Sequence, residues 1–284
     1  MLQILNFCHE PARNRSPGKD AGGKRTHYRS ESVILPLLIL IVLWQPAIAQ
    51  QPNVTPAAIH APLAAEEVVQ NLVQMNLRRV HALHSYQGTR TYRAEYRGFP
   101  GNRSAEMVVN VKYQSPGTKE FTVQSAKGSK LIIDRVFKKL LEAETEAQQP
   151  EIQRRSALND DNYRFTLVGS ESKSSGVTYV LAVEPRRTDK FLYRGRIWVD
   201  AEDFAVVRLE AEPAKNPSFW TKQTQIEHVY MKVSDFWLPA RNHSVTTIRL
   251  GGRADLTIDY KDYEITGASQ VSSISRPTPH AGQE

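Results

Sequence analysis

The hydrophobic pattern of the chain begins with one almost unbroken apolar run, which covers residues 33–44. Pro46 and the small-x-small triplet 47–49 follow this run. Twelve helical residues span about 18 Å, which is less than the hydrocarbon core of about 30 Å that a membrane helix must cross. The pattern is therefore typical of a secretory signal peptide that is cleaved after Ala49 and takes the rest of the chain out of the cytoplasm. The alternative is a short anchor that is never cut.

Two later segments repeat apolar residues at helical spacing. The first, about 63–83, follows Pro62 and has glutamates in its first turn, as helix starts commonly do. The second covers about 135–148, with Asp134 as the expected N-cap and Pro150 as its end. We therefore predict two amphipathic helices. Their apolar faces consist of Val69, Leu72, Val73, Val80 and Leu83 in the first, and of Val136, Phe137, Leu140 and Leu141 in the second.

Apolar and polar residues alternate with a period of two through most of the remaining sequence. Residues 253–261 are the clearest case, because apolar side chains occupy every second position. Further short strands are predicted at 119–125 and 130–133, and turns at 115–118 and 234–236. Such short connections exclude the crossover helices that a parallel sheet requires, so the strands are antiparallel. Strict alternation also indicates that one face of the sheet is packed and the other is solvated.

The number of strands predicts the curvature of the sheet. About ten strands in one open sheet curl strongly, because twist accumulates from each strand to the next. The two amphipathic helices are then available to cover the concave face. We therefore predict an α+β fold, with a strongly curved antiparallel sheet and two helices on its concave side.

The chain is predicted to have one folded domain with an extension on either side. Residues 1–49 form the signal peptide with an over-long n-region, and 50–62 form a linker interrupted by prolines. The domain covers 63–266, and residues 267–284, which lack periodicity, are predicted to be a disordered tail.

Three local segments resemble the outer-membrane lipoprotein-sorting superfamily, which has the LolA/LolB-like fold. Residues 196–208, Arg-Ile-Trp-Val-Asp-Ala-Glu-Asp-Phe-Ala-Val-Val-Arg, are similar to a strand, acidic turn and strand of that superfamily. Residues 237–240 and 260–263 are similar to its closing strands, and the order of the predicted elements agrees over about residues 64–266. The resemblance implies an unclosed half-barrel whose helices plug a hydrophobic cavity.

The same resemblance implies a function. A protein of this kind is a periplasmic carrier that holds the acyl chains of a lipoprotein or lipid, with a membrane-associated donor or acceptor protein as a further partner. Relatives with the same fold serve as periplasmic sensors, so a regulatory module that binds a protein partner is the alternative. A hydrolase is a third class, but the sequence has no G-x-S-x-G, phosphate-loop or H-E-x-x-H motif for it. No functional residue of the sorting carriers can be placed on this sequence.

The composition of the chain excludes several kinds of functional site. Cys8 is the only cysteine, so no thiol remains after residue 49 for disulfides, nucleophilic catalysis or metal binding. The net charge falls from +7 for the full chain to about +4 after residue 49. This excess of positive charge is too small to indicate a nucleic-acid-binding surface. His81 and His84 have a spacing that can share a metal, but no acidic residue supports them. We therefore expect no enzymatic activity, no metal or other cofactor, and no stable membrane span.

Apolar residues are the best candidates for a binding site. The segment 217–220, Pro-Ser-Phe-Trp, suits either core packing or the rim of a cavity. The pairs 154–155 and 186–187, all arginines, suit solvated surface or contacts with lipid phosphate groups. A lipid site is mostly apolar with few polar anchors. The predicted lipid-binding residues are therefore Val69, Leu72, Val136, Phe137, Leu140, Leu141, Phe219 and Trp220.

Overall fold

The computed structural model describes residues 63–272 except 175, 217–220 and 250. The predicted signal peptide and linker lie outside the described residues, as do Phe219, Trp220 and the tail beyond residue 272. Within the described part of the chain, no helix is long and apolar enough to cross a membrane.

The described helical segments lie in two regions of the sequence. Helix α1 (Ala65–Ala82) precedes the first strand. Helix α2 (Lys130–Ile132), a π-helical turn (Ile133–Phe137) and α3 (Lys138–Glu146) run on continuously, and we call them together the composite helix. Helix α4 (Pro150–Ser156) follows shortly after.

Ten strands make up most of the remaining described residues. They are β1 (Leu83–Gly98), β2 (Arg103–Gln114), β3 (Thr118–Gly128), β4 (Tyr163–Lys173), β5 (Gly176–Pro185), β6 (Tyr193–Asp200), β7 (Val206–Pro213), β8 (Thr221–Val233), β9 (Phe236–Ile248) and β10 (Gly252–Ala268).

All ten strands form one antiparallel sheet in the order β3-β2-β1-β10-β9-β8-β7-β6-β5-β4. The strand β10 joins two runs of sequential strands, because it pairs with both β9 and β1. The edges are β3 and β4, so the sheet is unclosed. Turns at 115–117 and 234–235 join β2 to β3 and β8 to β9, as predicted. The predicted fold class is confirmed.

The two faces of the sheet differ in polarity because successive side chains of a strand point to opposite sides. On β1, Tyr92 and Ala94 are buried on the inner face, whereas Arg93 is exposed on the outer face. Arg93 there pairs with Glu106 at 2.9 Å and with Asp259 at 2.6 Å. Exposed pairs of this kind stabilise a protein by only about 0.2–1 kcal/mol. The outer face is therefore a solvated surface, and the core lies under the helices.

Helix α1 covers one half of the inner face. Its apolar stripe packs against strands from β4 to β8, and full burial of one leucine side chain contributes about 1.5–3 kcal/mol. We call this group the α1 cluster. Its members include Val68, Val69 and Leu72 of the helix, and Leu181, Ile197, Val199, Leu209, Ile226 and Tyr230 of the sheet.

The composite helix covers the other half, formed by β10, β1 and β2. Its apolar face includes the fully buried Ile132 and Phe137, and the half-buried Val136, Leu140 and Leu141 pack around them. We call this group the composite-helix cluster. Its members in the sheet include Tyr92, Met107, Val109, Val111, Ile258 and Tyr260.

The start of the composite helix differs from the prediction. Residues 130–133, predicted as a strand, are helical, and the helix begins at Lys130 after Ser129 rather than after Asp134. Asp134 is no cap, because it lies inside the π-helical turn and pairs with Lys138 at 2.7 Å. Pro150 begins α4 rather than ending the preceding helix. A proline is tolerated in the first helical turn because the backbone N–H that it lacks would have no hydrogen-bond acceptor within the helix there.

Gly128 allows the chain to turn from β3 into the composite helix. Its φ is +94°, and an added Cβ would lie 2.4 Å from the carbonyl oxygen of Ser104. We expect Gly128→Ala to lower the free energy of unfolding by about 2 kcal/mol, because it adds backbone strain and a steric overlap. Urea denaturation measures this loss. The control is Gly169→Ala, whose added methyl group meets no atom within 4 Å. An equal effect of both substitutions would contradict the turn geometry.

Candidate functional site

A row of buried polar residues crosses the middle of the inner face, between the two helices. We call it the polar seam, and it occupies the four neighbouring strands β1, β10, β9 and β8. Arg90 is paired in register with Tyr260, and His228 with Asn242. Tyr230 belongs to the α1 cluster and Tyr260 to the composite-helix cluster, so the seam lies where the clusters meet. Its members, all buried, are Arg90, His228, Tyr230, Asn242 and Tyr260.

A buried ion triad lies at one end of the seam. Arg90 donates two hydrogen bonds to the carboxylate of Glu144, at 2.6 and 3.1 Å, and Lys119 donates a third at 2.8 Å. The side chains of Arg90, Lys119 and Glu144 are 5%, 5% and 3% exposed. The triad therefore ties the composite helix to β1 and to the edge strand β3.

The triad carries a net charge of +1 at neutral pH. Burial alone would raise the pKa of Glu144, but Arg90 and Lys119 lower it to about 2. Burial alone would likewise lower the pKa of Arg90 and of Lys119, yet the Glu144 carboxylate raises both. All three groups are thus charged, and one carboxylate faces two cations. Burying a net charge is unfavourable unless another group compensates it.

The other end of the seam consists of three neighbouring rings. The ring centroids of His228 and Tyr230 lie 5.5 Å apart, and those of His228 and Tyr260 lie 6.5 Å apart. Burial lowers the pKa of His228 to about 4, so its imidazole is neutral at physiological pH. Burial also raises the pKa of Tyr230 and of Tyr260 well above the usual value, so both hydroxyls keep their protons.

Each of these three rings carries a buried polar atom that has no hydrogen-bond partner among the described residues. The atoms are Nε2 of His228 and the hydroxyl oxygens of Tyr230 and Tyr260. The guanidinium of Arg90 lies 5.0 Å from the centroid of the Tyr260 ring, so the triad and the rings form one continuous group. Buried polar atoms nearly always have a partner, and three neighbouring exceptions call for a physical explanation.

The six predicted lipid-binding residues whose positions are described lie in two groups rather than one. Val69 and Leu72 are buried in the α1 cluster, whereas Phe137 is buried in the composite-helix cluster. Val136, Leu140 and Leu141 are half-buried around Phe137. The structure therefore assigns the predicted apolar residues to opposite sides of the polar seam.

The arginine pairs and the acidic turn serve the protein's own structure. Arg155 pairs with Asp189 at 2.6 Å, and Arg186 donates to the carbonyl oxygen of Tyr163 at 3.1 Å. The carboxylate of Asp200 accepts hydrogen bonds from the backbone N–H groups of residues 202 and 203 at 2.9 and 2.7 Å. Asp200 thus has the structural role that its place in the turn between β6 and β7 predicts.

The residues considered for metal binding lie apart from the seam. His84 contacts the hydroxyl of Ser269 at 2.8 Å through Nε2, and His81 is exposed on α1. Among the residues with described positions, no group of three or more His, Cys, Asp or Glu side chains is placed to hold a metal ion.

Comparison with protein families gives one match. Residues 102–262 match the model of a family described as a family of unknown function (DUF5686), and the match covers more than half of the chain. A search of curated proteins finds no match.

Comparison with solved structures gives several distant similarities. A putative outer membrane lipoprotein-sorting protein domain from Vibrio parahaemolyticus has 13% identity and a TM-score of 0.34, and the match covers 71% of this chain and 93% of that one. A LolA superfamily protein from Nitrosomonas europaea has 11% identity and a TM-score of 0.33, with 73% and 96% covered. The MucA/MucB complex of Pseudomonas aeruginosa has 11% identity and a TM-score of 0.23, with 68% and 93% covered.

The first two of these proteins carry the name of the superfamily that the sequence resembles. With TM-scores below 0.5, the similarities carry no argument about function.

Proposed function

We propose, for a chain that belongs to the DUF5686 family of unknown function, that it is a non-enzymatic binding protein that shelters the acyl chains of a lipid or lipoprotein. The acyl chains would lie between α1 and the composite helix, over the middle of the inner face. In this proposal the protein works in the periplasm after export, and a membrane-associated protein delivers or receives the cargo.

The separation of the α1 cluster from the composite-helix cluster on the inner face is the observation that supports this function. Each cluster is covered by its own helix, and the two clusters share no residue. In this proposal the two helices move apart over the seam, while the backbone hydrogen bonds of the sheet stay intact. An acyl chain that enters between the helices gains about 0.8 kcal/mol for each CH₂ group that leaves water.

The exposure of each predicted lipid-binding side chain determines when it could contact an acyl chain. The half-buried Val136, Leu140 and Leu141 offer apolar surface to a chain without a prior rearrangement of the core. Val69, Leu72 and Phe137 are fully buried, so they would contact cargo only after the helices move apart. Release would then require a receiving partner that offers a more apolar site.

The first test is mass spectrometry of lipids extracted from the full chain, expressed with export and purified without detergent. We expect a near-stoichiometric acyl lipid. In Leu140→Glu a charge replaces a half-buried apolar side chain, and we expect the lipid content to fall at least tenfold with far-UV circular dichroism unchanged. Leu131→Glu is the matched control, because Leu131 lies in the same helix but is 56% exposed. Its lipid content should equal that of the wild type.

Two results would contradict this function. One is a protein that contains no lipid and does not bind added fatty acid in a fluorescence displacement assay. The other is an equal loss of lipid in Leu140→Glu and Leu131→Glu, which would indicate a general effect of charge on the helix.

A regulatory module that binds a protein partner is the second candidate. The strand β3 is an edge of the described sheet, and its Val123 is about half exposed. An unpaired edge offers backbone groups to which a partner can add a strand. If a stoichiometric protein is purified with the chain in place of lipid, and Val123→Lys weakens that complex, this second function would be favoured.

A further inference from the structure

The polar seam combines two features that a purely structural core does not need. One is the set of three polar atoms that have no partner among the described residues, on the neighbouring rings of His228, Tyr230 and Tyr260. The other is the surplus positive charge of the triad, which contacts the same group of rings through Arg90 and Tyr260. An apolar interior that binds only alkyl chains would be more stable without either feature, since unpartnered polar groups and unpaired charges are costly to bury.

The chemistry of the seam is complementary to one kind of group. Tyr230 and Tyr260 each offer a hydroxyl donor, and Nε2 of a neutral His228 is a third donor in the tautomer that carries its proton there. A group that satisfies them must therefore accept hydrogen bonds. It must also carry one negative charge if it is to balance the triad. A carboxylate has two acceptor oxygens and a charge of −1, so it meets both conditions.

We propose that the polar seam binds the carboxylate of a single-chain fatty acid, with the tyrosine hydroxyls donating to its oxygens and Arg90 supplying the compensating charge. This inference rests on the proposed function, because the alkyl chain of the same ligand would lie against the half-buried apolar side chains of the composite helix. The seam then selects the head group, whereas the apolar side chains bind the chain without selecting it.

The test compares two probes that have the same alkyl chain, laurate and 1-dodecanol. Isothermal titration calorimetry measures the affinity of the delipidated full chain for each of them. We expect laurate to bind at least tenfold more tightly, because the alcohol lacks the charge. The double variant Tyr230→Phe/Tyr260→Phe removes both donors and keeps both rings. Its affinity for laurate should fall at least tenfold, and its affinity for dodecanol should change less than twofold.

The melting temperature of the double variant shows whether the two tyrosine hydroxyls serve ligand binding or the stability of the fold. The double variant removes hydroxyls that have no partner in the described part of the chain, so its melting temperature should be equal to or above that of the wild type. The control is Tyr96→Phe, whose hydroxyl donates to the carbonyl oxygen of Phe99 at 2.6 Å near the end of β1. This control should bind laurate as the wild type does.

The outcomes distinguish this inference from the proposed function. Equal affinities for laurate and dodecanol would overturn head-group recognition and leave the acyl carrier in place. A laurate affinity that is unchanged in the double variant would also overturn it. Absence of binding for both probes would overturn the proposed function and the inference together.

Discussion

Replacing Glu144 with glutamine should lower the free energy of unfolding by about 3–5 kcal/mol, the range measured when one partner of a buried ion pair is removed. The substitution keeps the size of the side chain and removes its charge. Arg90 and Lys119 then remain buried without an anion, although each was held by hydrogen bonds to the carboxylate. Chemical denaturation at pH 7.5 provides the measurement.

Glu142→Gln is the matched control for this prediction. Glu142 lies two residues earlier in the same helix and pairs with Lys139, but its side chain is 62% exposed. An exposed pair contributes about 0.2–1 kcal/mol, so the control should be close to the wild type. If Glu144→Gln costs no more than Glu142→Gln, the triad does not stabilise the packing of the composite helix on the sheet.

Replacing the whole triad should cost much less than replacing Glu144 alone. In Arg90→Met/Lys119→Met/Glu144→Leu, apolar side chains of similar length fill the space, and no charge is left without a partner. Buried ion networks that are replaced in this way often give proteins as stable as the original. A triple variant as unstable as Glu144→Gln would show that the interactions of the triad with the tyrosines, rather than its charge balance, determine its contribution.

Lowering the pH from 6.5 to 4 should destabilise the folded protein by about 3 kcal/mol through His228 alone. Its pKa is lowered by burial from 6.5 to about 4, and each pKa unit corresponds to about 1.4 kcal/mol. Between these two values the unfolded chain binds a proton that the folded protein does not bind. Stability therefore rises with pH across this window and is fully present above pH 6.5.

His228→Phe should remove this part of the pH dependence, because phenylalanine does not titrate. Urea denaturation at pH 7 and pH 4.5 measures the difference, and a fluorescence signal from the tryptophans can follow it. The control is His243→Phe, since His243 lies on the outer face with its side chain 38% exposed. His243→Phe should lose as much stability between pH 7 and pH 4.5 as the wild type does. An unchanged pH dependence in His228→Phe would contradict a neutral, buried imidazole.

Below pH 4.5 a second loss of stability is expected as Glu144, with its pKa lowered to about 2, becomes protonated.

The fold could be predicted from the sequence because its signals are local. Alternation with a period of two and short turns are sufficient to specify an antiparallel sheet with one buried face. The strand predicted at 130–133 is wrong because Leu131, Ile132 and Ile133 are apolar residues that fit a short strand as well as a helix. Their helical state depends on contacts with the sheet, which no short window of sequence contains.

The polar seam could not be assembled from the sequence, because its members come from strands that are far apart in the chain. Single signals were nevertheless present. Arg90 lies in phase with Tyr92, and His228 lies in phase with Ile226, so alternation places both polar side chains on the inner face. Glu144 follows Phe137 by seven residues and shares its helical face. A polar residue at a position where the alternation calls for an apolar one is thus the signal that sequence reasoning missed.

Strand β10 is the last described strand in chain order, yet it lies in the middle of the sheet between β1 and β9. The hairpins β1–β3 and the meander β4–β9 can each begin to pair as soon as they emerge, but they cannot be joined until the final strand arrives. Until then both β1 and β9 present an open edge, which is a site for wrong pairing. Contacts between β1 and β10 also have a large sequence separation, which is typical of slow folding. A chain that ends before residue 252 is therefore expected to give two incomplete sheets rather than a smaller version of the same protein.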